Sequence, residues 1–170
     1  MAGYGLPKEQ HLSVVLQNSL ELEGYNIEIV NGSVSGSTSA GGLNIAEWTL
    51  SESNIDLMIL CLGANDMLRG INPKETKNNL EEIIKIAKSK NIKVIIAGMI
   101  APTSYGFAYK KSFDRIFSDL SKKYELQLIP FLLEGVAQKP EFNLSDGMHP
   151  NDQGTIIIGN TLKKAILENL

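Results

Sequence analysis

Ile55-Asp56-Leu57-Met58-Ile59-Leu60-Cys61-Leu62 runs directly into Gly63-Ala64-Asn65-Asp66. A continuous apolar run of this length is the pattern of a strand covered on both faces, and the polar quartet behind it places turn chemistry at the strand's carboxyl end. Upstream, Ile27-Glu28-Ile29-Val30 is a shorter β-favouring run that stops at Asn31-Gly32, and downstream Lys93 to Met99 and Leu126 to Phe131 predict two further strands. Helical spacing fills the intervals. Pro7 to about Leu22 puts Leu12, Val15, Leu16 and Leu20 on one face before Gly24, and a short helix is expected around Asn44 to Leu50. Pro73 opens a helix to Lys90 with Leu80, Ile83, Ile84 and Ala87 as its apolar stripe. Tyr105 to Tyr124 repeats the pattern through Phe113, Ile116, Phe117 and Leu120, and a last helix is expected from about Asp152. Strands alternating with helices predict an α/β fold, a parallel sheet with helices on both faces, in a single domain over 1–170. Such sheets grow by right-handed strand, helix, strand crossovers, so a chain that opens on a helix predicts a strand ahead of residue 1.

Composition narrows the function classes. The chain has 170 residues, 43% of them hydrophobic and 21% charged, an ordinary balance for one globular domain with a proper core. A net charge of −3 without any Lys/Arg run argues against a nucleic-acid partner or an anionic membrane surface. No stretch reaches the ~18 apolar residues that a membrane span needs. The single cysteine, Cys61, lies within an apolar run and is read as a buried thiol. With two histidines and that one cysteine there is no recognisable metal-ligand set, and no phosphate-binding loop or dinucleotide fingerprint is present, so neither metal nor cofactor is expected.

In open parallel sheets ligands bind beyond the carboxyl ends of the strands, so the segments leaving each strand are the places to look for chemistry. Beyond the last strand lies Asp146-Gly147-Met148-His149-Pro150. A histidine that serves as a base needs a carboxylate on Nδ1 to fix its tautomer, and Asp146 and His149 can meet that need within one turn. The alternative is a capping aspartate beside a polar loop histidine. Asn65 places an amide donor at the end of a buried strand, suited to an oxyanion, or is simply a turn asparagine. Gly36, in Val34-Ser35-Gly36-Ser37-Thr38, has no Cβ and can bring its N–H close to a substrate; the other reading of Gly32 to Gly42 is a flexible linker. Ser35, Ser37 and Ser39 are read as loop residues rather than nucleophiles, and His11 as a packed or solvent-facing residue. Tyr105, Phe107 and Tyr109, with the loop from Met67 to Pro73, either line an acyl pocket or pack the domain.

Gly36 in its Val-Ser-Gly-Ser-Thr context, Asn65 in Gly-Ala-Asn-Asp, and Asp146 with His149 in Asp-Gly-Met-His-Pro-Asn resemble blocks II, III and V of the SGNH or GDSL hydrolases. The similarity covers essentially the whole chain and is greatest to the bacterial arylesterase, thioesterase I and lysophospholipase L1 subgroup. It implies a three-layer flavodoxin-like fold with sheet order 2-1-3-4-5, no metal or cofactor, and hydrolysis of small acyl esters or thioesters by a monomer. It also implies His149 as general base, Asp146 as its orienter, and Gly36 N–H with the Asn65 side chain as oxyanion donors. The family's nucleophile belongs to block I, Gly-Asp-Ser-Leu-x-Ala-Gly-Tyr-Gly. Met1-Ala2-Gly3-Tyr4-Gly5 matches the second half of that block, so the serine and strand 1 are expected ahead of residue 1, and residues 1–170 alone are expected to be inactive and marginally stable. A non-catalytic remnant that retains an acyl pocket is the alternative, and a flavin or nucleotide binder explains neither Asp146 with His149 nor Asn65. As written the chain is expected in the cytoplasm; a signal peptide ahead of Met1 would direct it to the periplasm.

Overall fold

The computed structural model describes residues 2–51 and 54–170. In chain order its regular elements are α1 (Leu12–Leu22), α2 (Ser39–Thr49), β1 (Leu57–Leu60), α3 (Ala64–Leu68), α4 (Pro73–Ser89), β2 (Lys93–Ala97), α5 (Phe107–Tyr124), β3 (Gln127–Ile129) and α6 (Asp152–Leu167), with single 3-10 turns at Lys8–Gln10, Thr103–Tyr105 and Pro140–Phe142. Contacts divide the chain into two compact units, one formed by the described residues up to Ser35 with Leu132–Leu170, the other by Gly36–Phe131.

The second unit holds the sheet. β1, β2 and β3 are parallel neighbours in that order, with Leu57 opposite Lys93 and Ile95 opposite Gln127. This corresponds to the 3-4-5 part of the expected order. Leu60, Val94 and Ile96 share one core with Leu80, Ile83, Ile84 and Ala87 of α4 and Phe113, Ile116, Phe117 and Leu120 of α5. Their alternate neighbours Ile95 and Ala97 are also fully buried, which is why these strands read as unbroken apolar runs. Asn72 caps α4 by accepting from Lys74 N at 3.0 Å, with Pro73 at the first position where its missing N–H costs nothing.

The first unit is built on α1 against α6. Leu12, Leu16 and Leu20 are buried on α1, and Ile158, Leu162, Ala165 and Ile166 on α6. A Cβ on Gly159 would stand 3.5 Å from Val15 Cγ1, an ordinary contact, so an alanine fits here without moving the two helices apart. Lys163 Nζ closes the contact by donating to Ser19 Oγ at 2.9 Å.

Three elements differ from expectation. Residues 27–30 have no regular secondary structure and belong to no sheet among the described residues. A strand exists by pairing, and here the pairing is supplied by one side chain: Gln17 Nε2 donates to Ile27 O and Gln17 Oε1 accepts from Ile29 N, both at 2.7 Å. The primary amide carries a donor and an acceptor side by side, as a neighbouring peptide unit would. Second, α2 begins at Ser39, inside the Gly/Ser segment read as loop, because Thr38 caps it by accepting from Gly41 N. Third, the Gly63-Ala64-Asn65-Asp66 turn continues as the short helix α3.

Gln17→Leu, which keeps the helix former and removes both bonds together with the exposed one from Gln17 Nε2 to Glu21 Oε1, is expected to lower the unfolding free energy by about 1–2 kcal/mol. In hydrogen exchange the Ile29 amide would lose protection while β2 keeps its own; an unchanged Ile29 would exclude the side-chain pairing.

Candidate active site

The loop from Asn143 to Pro150 folds back on itself through an isolated antiparallel bridge between those two residues. Leu144 N donates to His149 O at 2.7 Å and Gly147 N donates to Leu144 O at 2.9 Å, so the loop closes around Asp146. Asn143 anchors its first strand from within, donating to Val136 O at 2.8 Å and Lys139 O at 2.7 Å. Asn151 anchors the second: its Oδ1 caps α6 through Gly154 N at 3.0 Å, and its Nδ2 donates to Glu141 O at 2.9 Å. Rigid ends thus flank a short turn that carries the ionisable pair.

Asp146 Oδ1 accepts from Met148 N at 2.8 Å and His149 N at 2.9 Å, while Oδ2 accepts from His149 Nδ1 at 2.7 Å. The His149 backbone N–H, then its ring and then the Met148 N–H hold the Asp146 carboxyl down to about 2. A carboxylate that stays ionised fixes the proton of His149 on Nδ1 and leaves Nε2 as the acceptor. Nε2 has no hydrogen-bond partner among the described residues. The ring is 43% exposed, so Nε2 is open to an incoming hydroxyl.

In the other unit, Gly36 adopts φ +74, the left-handed conformation that a residue without Cβ takes without strain. Its carbonyl accepts from Arg69 Nη2 at 3.0 Å. Arg69 closes α3, whose second residue is Asn65, and the side-chain amide of Asn65 makes no hydrogen bond among the described residues. Next to it Asp66 is fully buried. It accepts from Ser39 N at 2.7 Å, from Ser39 Oγ and from Thr76 Oγ1 at 3.1 Å, and Asn79 Nδ2 completes the set by donating to Ser39 Oγ at 3.0 Å. The start of α2, just beyond Gly36, and the helix that carries Asn65 are therefore tied through one buried carboxylate. Every one of these partners donates, which is the condition for burying a charge at tolerable cost.

Each residue expected from sequence lies on a loop or helix start beyond a strand or beyond residues 27–30. Asp146 and His149 meet in direct contact, and Gly36 and Asn65 are linked through Arg69 and Asp66. Spacing and composition do not mark Asp66 and Arg69 as site residues. A carboxylate directly after a buried strand is the available signal for Asp66, since it demands donors from elsewhere. The two loops with acyl-pocket composition meet in part: a cavity of 540 Å³ is lined by residues including Gly70, Asn72, Ala108 and Tyr109, and Tyr109 donates to Ile71 O at 3.0 Å. His11 is structural, its Nε2 donating to Leu6 O at 3.1 Å. No group of three or more His, Cys, Asp or Glu that could hold a metal occurs among the described residues, and none of their helices is long and apolar enough to cross a membrane.

An α/β fold with an Asp-His pair on the loop before its last helix suits an acyl hydrolase. Residues 1–155 match the GDSL-like lipase/acylhydrolase family, and the chain belongs to that family. It is 34% identical over 169 residues to an arylesterase of Vibrio mimicus, which covers 99% of this chain and 84% of the relative. It is 37% identical over 149 residues to the esterase TesA of Pseudomonas aeruginosa, covering 88% and 74% respectively. A crystal structure of TesA superposes with a TM-score of 0.93 at 33% identity, covering 99% of this chain and 94% of that one.

Asp146 titrates near 2 rather than at 3.8, so its bonds stabilise the fold fully above about pH 3.8 and the contribution fades as the pH falls towards 2. A carboxyl ¹³C titration is expected to show that low midpoint, and a midpoint near 4 would contradict the triple hydrogen bond. Asp66→Asn sets an amide N–H₂ against donors and is expected to cost about 1–3 kcal/mol in urea unfolding.

Proposed function

We propose that this chain is the greater part of a serine-dependent hydrolase of carboxylic esters and thioesters, such as aryl, short acyl or lysophospholipid esters. The serine is carried by a Gly-Asp-Ser-Leu segment joined ahead of residue 1, completing a single SGNH domain that acts as a monomer and uses no metal or cofactor. The observation that carries this reading is the Asp146-His149 pair, bonded at 2.7 Å with Nε2 unpartnered among the described residues. Membership of the acylhydrolase family and likeness to esterases support it.

The chemistry is set by the groups. His149 Nε2 takes the proton as the serine Oγ attacks the carbonyl carbon, and the carbonyl π electrons move onto oxygen. Ionised Asp146 stabilises the imidazolium through Nδ1. The oxyanion is met by Gly36 N–H and the Asn65 side-chain N–H, preorganised donors that need no reorientation as charge develops. Collapse breaks the bond to the alkoxide or thiolate leaving group, which receives the proton from His149. Water, activated by the same base, then releases the acid and restores the serine. Without the serine, residues 1–170 keep the base and two donors and do not turn over.

The form extended by Gly-Asp-Ser-Leu is expected to hydrolyse p-nitrophenyl butyrate, whereas residues 1–170 are not. In the extended form His149→Ala is expected to reduce kcat by about 10⁴-fold or more, and Asn65→Ala by about 10²–10³-fold. An inert extended form that still bound acyl ligands would replace this reading with that of a binding remnant.

A further inference from the structure

The ring of Tyr4 lies against the ring of His149, with centroids 4.4 Å apart and planes inclined by 34°. Tyr4 is 59% exposed, so core packing does not account for its position. Its backbone is nevertheless held from two sides. On one side Gly3 lies flat on the His11 ring, where a Cβ would come within 2.2 Å of His11 Cδ2. His11 Nε2 donates to Leu6 O at 3.1 Å, and Leu6 N donates back to Gly3 O at 3.1 Å. On the other side a Cβ on Gly5 would stand 2.7 Å from Leu144 Cδ1. Leu144 is the residue whose N–H holds the His149 carbonyl. A turn whose two glycines both take positive φ, +72 at Gly3 and +73 at Gly5, thus presents a single aromatic ring to the imidazole.

We propose that Tyr4 is a positioning residue for His149: its ring face holds the imidazole in the plane set by Asp146 and favours the protonated ring. The inference rests on the reading of His149 as the base. A cation within about 6 Å of an aromatic centroid is attracted by the ring quadrupole. The neutral imidazole gains no such charge interaction, so the contact strengthens when His149 accepts its proton. The ring meets the Asp146 carboxylate on Nδ1 and the Tyr4 ring on its face, and the next acidic group along the chain is Asp152 in the first turn of α6.

The test is an NMR titration of the His149 ring in residues 1–170, with His11 as internal reference and His149→Gln to assign the pair. Tyr4→Leu is expected to lower the His149 midpoint by about half a pH unit, and Tyr4→Phe to leave it in place. An unchanged midpoint in Tyr4→Leu overturns the proposal, as does an equal drop in Tyr4→Phe, which would assign the effect to the hydroxyl. If His11 shifts together with His149, the turn itself has loosened. Tyr4→Trp, which restores an aromatic face, must then return the His149 midpoint, and failure to do so overturns the proposal. The titration needs no nucleophile, so an inactive extended enzyme would sink the hydrolase reading and leave this result standing. In an active extended enzyme, the acid limb of kcat/KM moves with the titration while KM does not.

Discussion

A carboxylate that accepts from two successive backbone amides and an imidazole at once has one arrangement open to it, and Asp146 is in that arrangement. The backbone bonds fix the turn, and the turn aims the histidine. Because the largest influences on Asp146 come from N–H groups of its own turn, the pair does not rely on burial to remain ionised, even in an exposed loop. The anchors on either side, Asn143 and Asn151, restrict the ends of the loop to which Asp146 gives its shape.

The glycine loop and Asn65 depend on a different device. Asp66 lies in the interior, where an unpartnered charge would be prohibitive, and it is met only by donors. It ties the start of α2, three residues beyond Gly36, to the helix that carries Asn65. One exposed pair thus fixes a tautomer, and one buried carboxylate fixes a spacing. In the proposed reaction, preorganisation of this kind leaves nothing to rearrange when charge develops.

Legibility in the sequence tracks the range of the interactions. The Asp146-His149 contact spans three residues, so spacing admits it, beside the reading of a capping aspartate and a polar loop histidine. The place of Asn65 at a strand end is legible because an apolar run precedes it, and β2 because a strand covered on both faces leaves no alternation. Asp66 is not, since Ser39 and Thr76 lie 27 and 10 residues away along the chain. Ile27–Val30 reads as a strand on local propensity, yet strand pairing is a tertiary matter, and its hydrogen bonds go to Gln17 instead. The start of α2 is hidden because Ser39, Gly41 and Gly42 are poor helix formers whose place is decided by a cap and by Asp66. Tyr4 is visible as part of a motif but not as a neighbour of His149, a contact that the sequence separates almost end to end.

The proposed function has His149 activate the serine of the form extended by Gly-Asp-Ser-Leu. Peptide mapping by mass spectrometry, after treating that extended form with diisopropyl fluorophosphate, tests it most directly, because the reagent loses fluoride only to an activated hydroxyl. A single adduct on that serine, lost in His149→Ala, is the predicted result. An adduct on Ser35, Ser37 or Ser39, or labelling indifferent to His149, would contradict it.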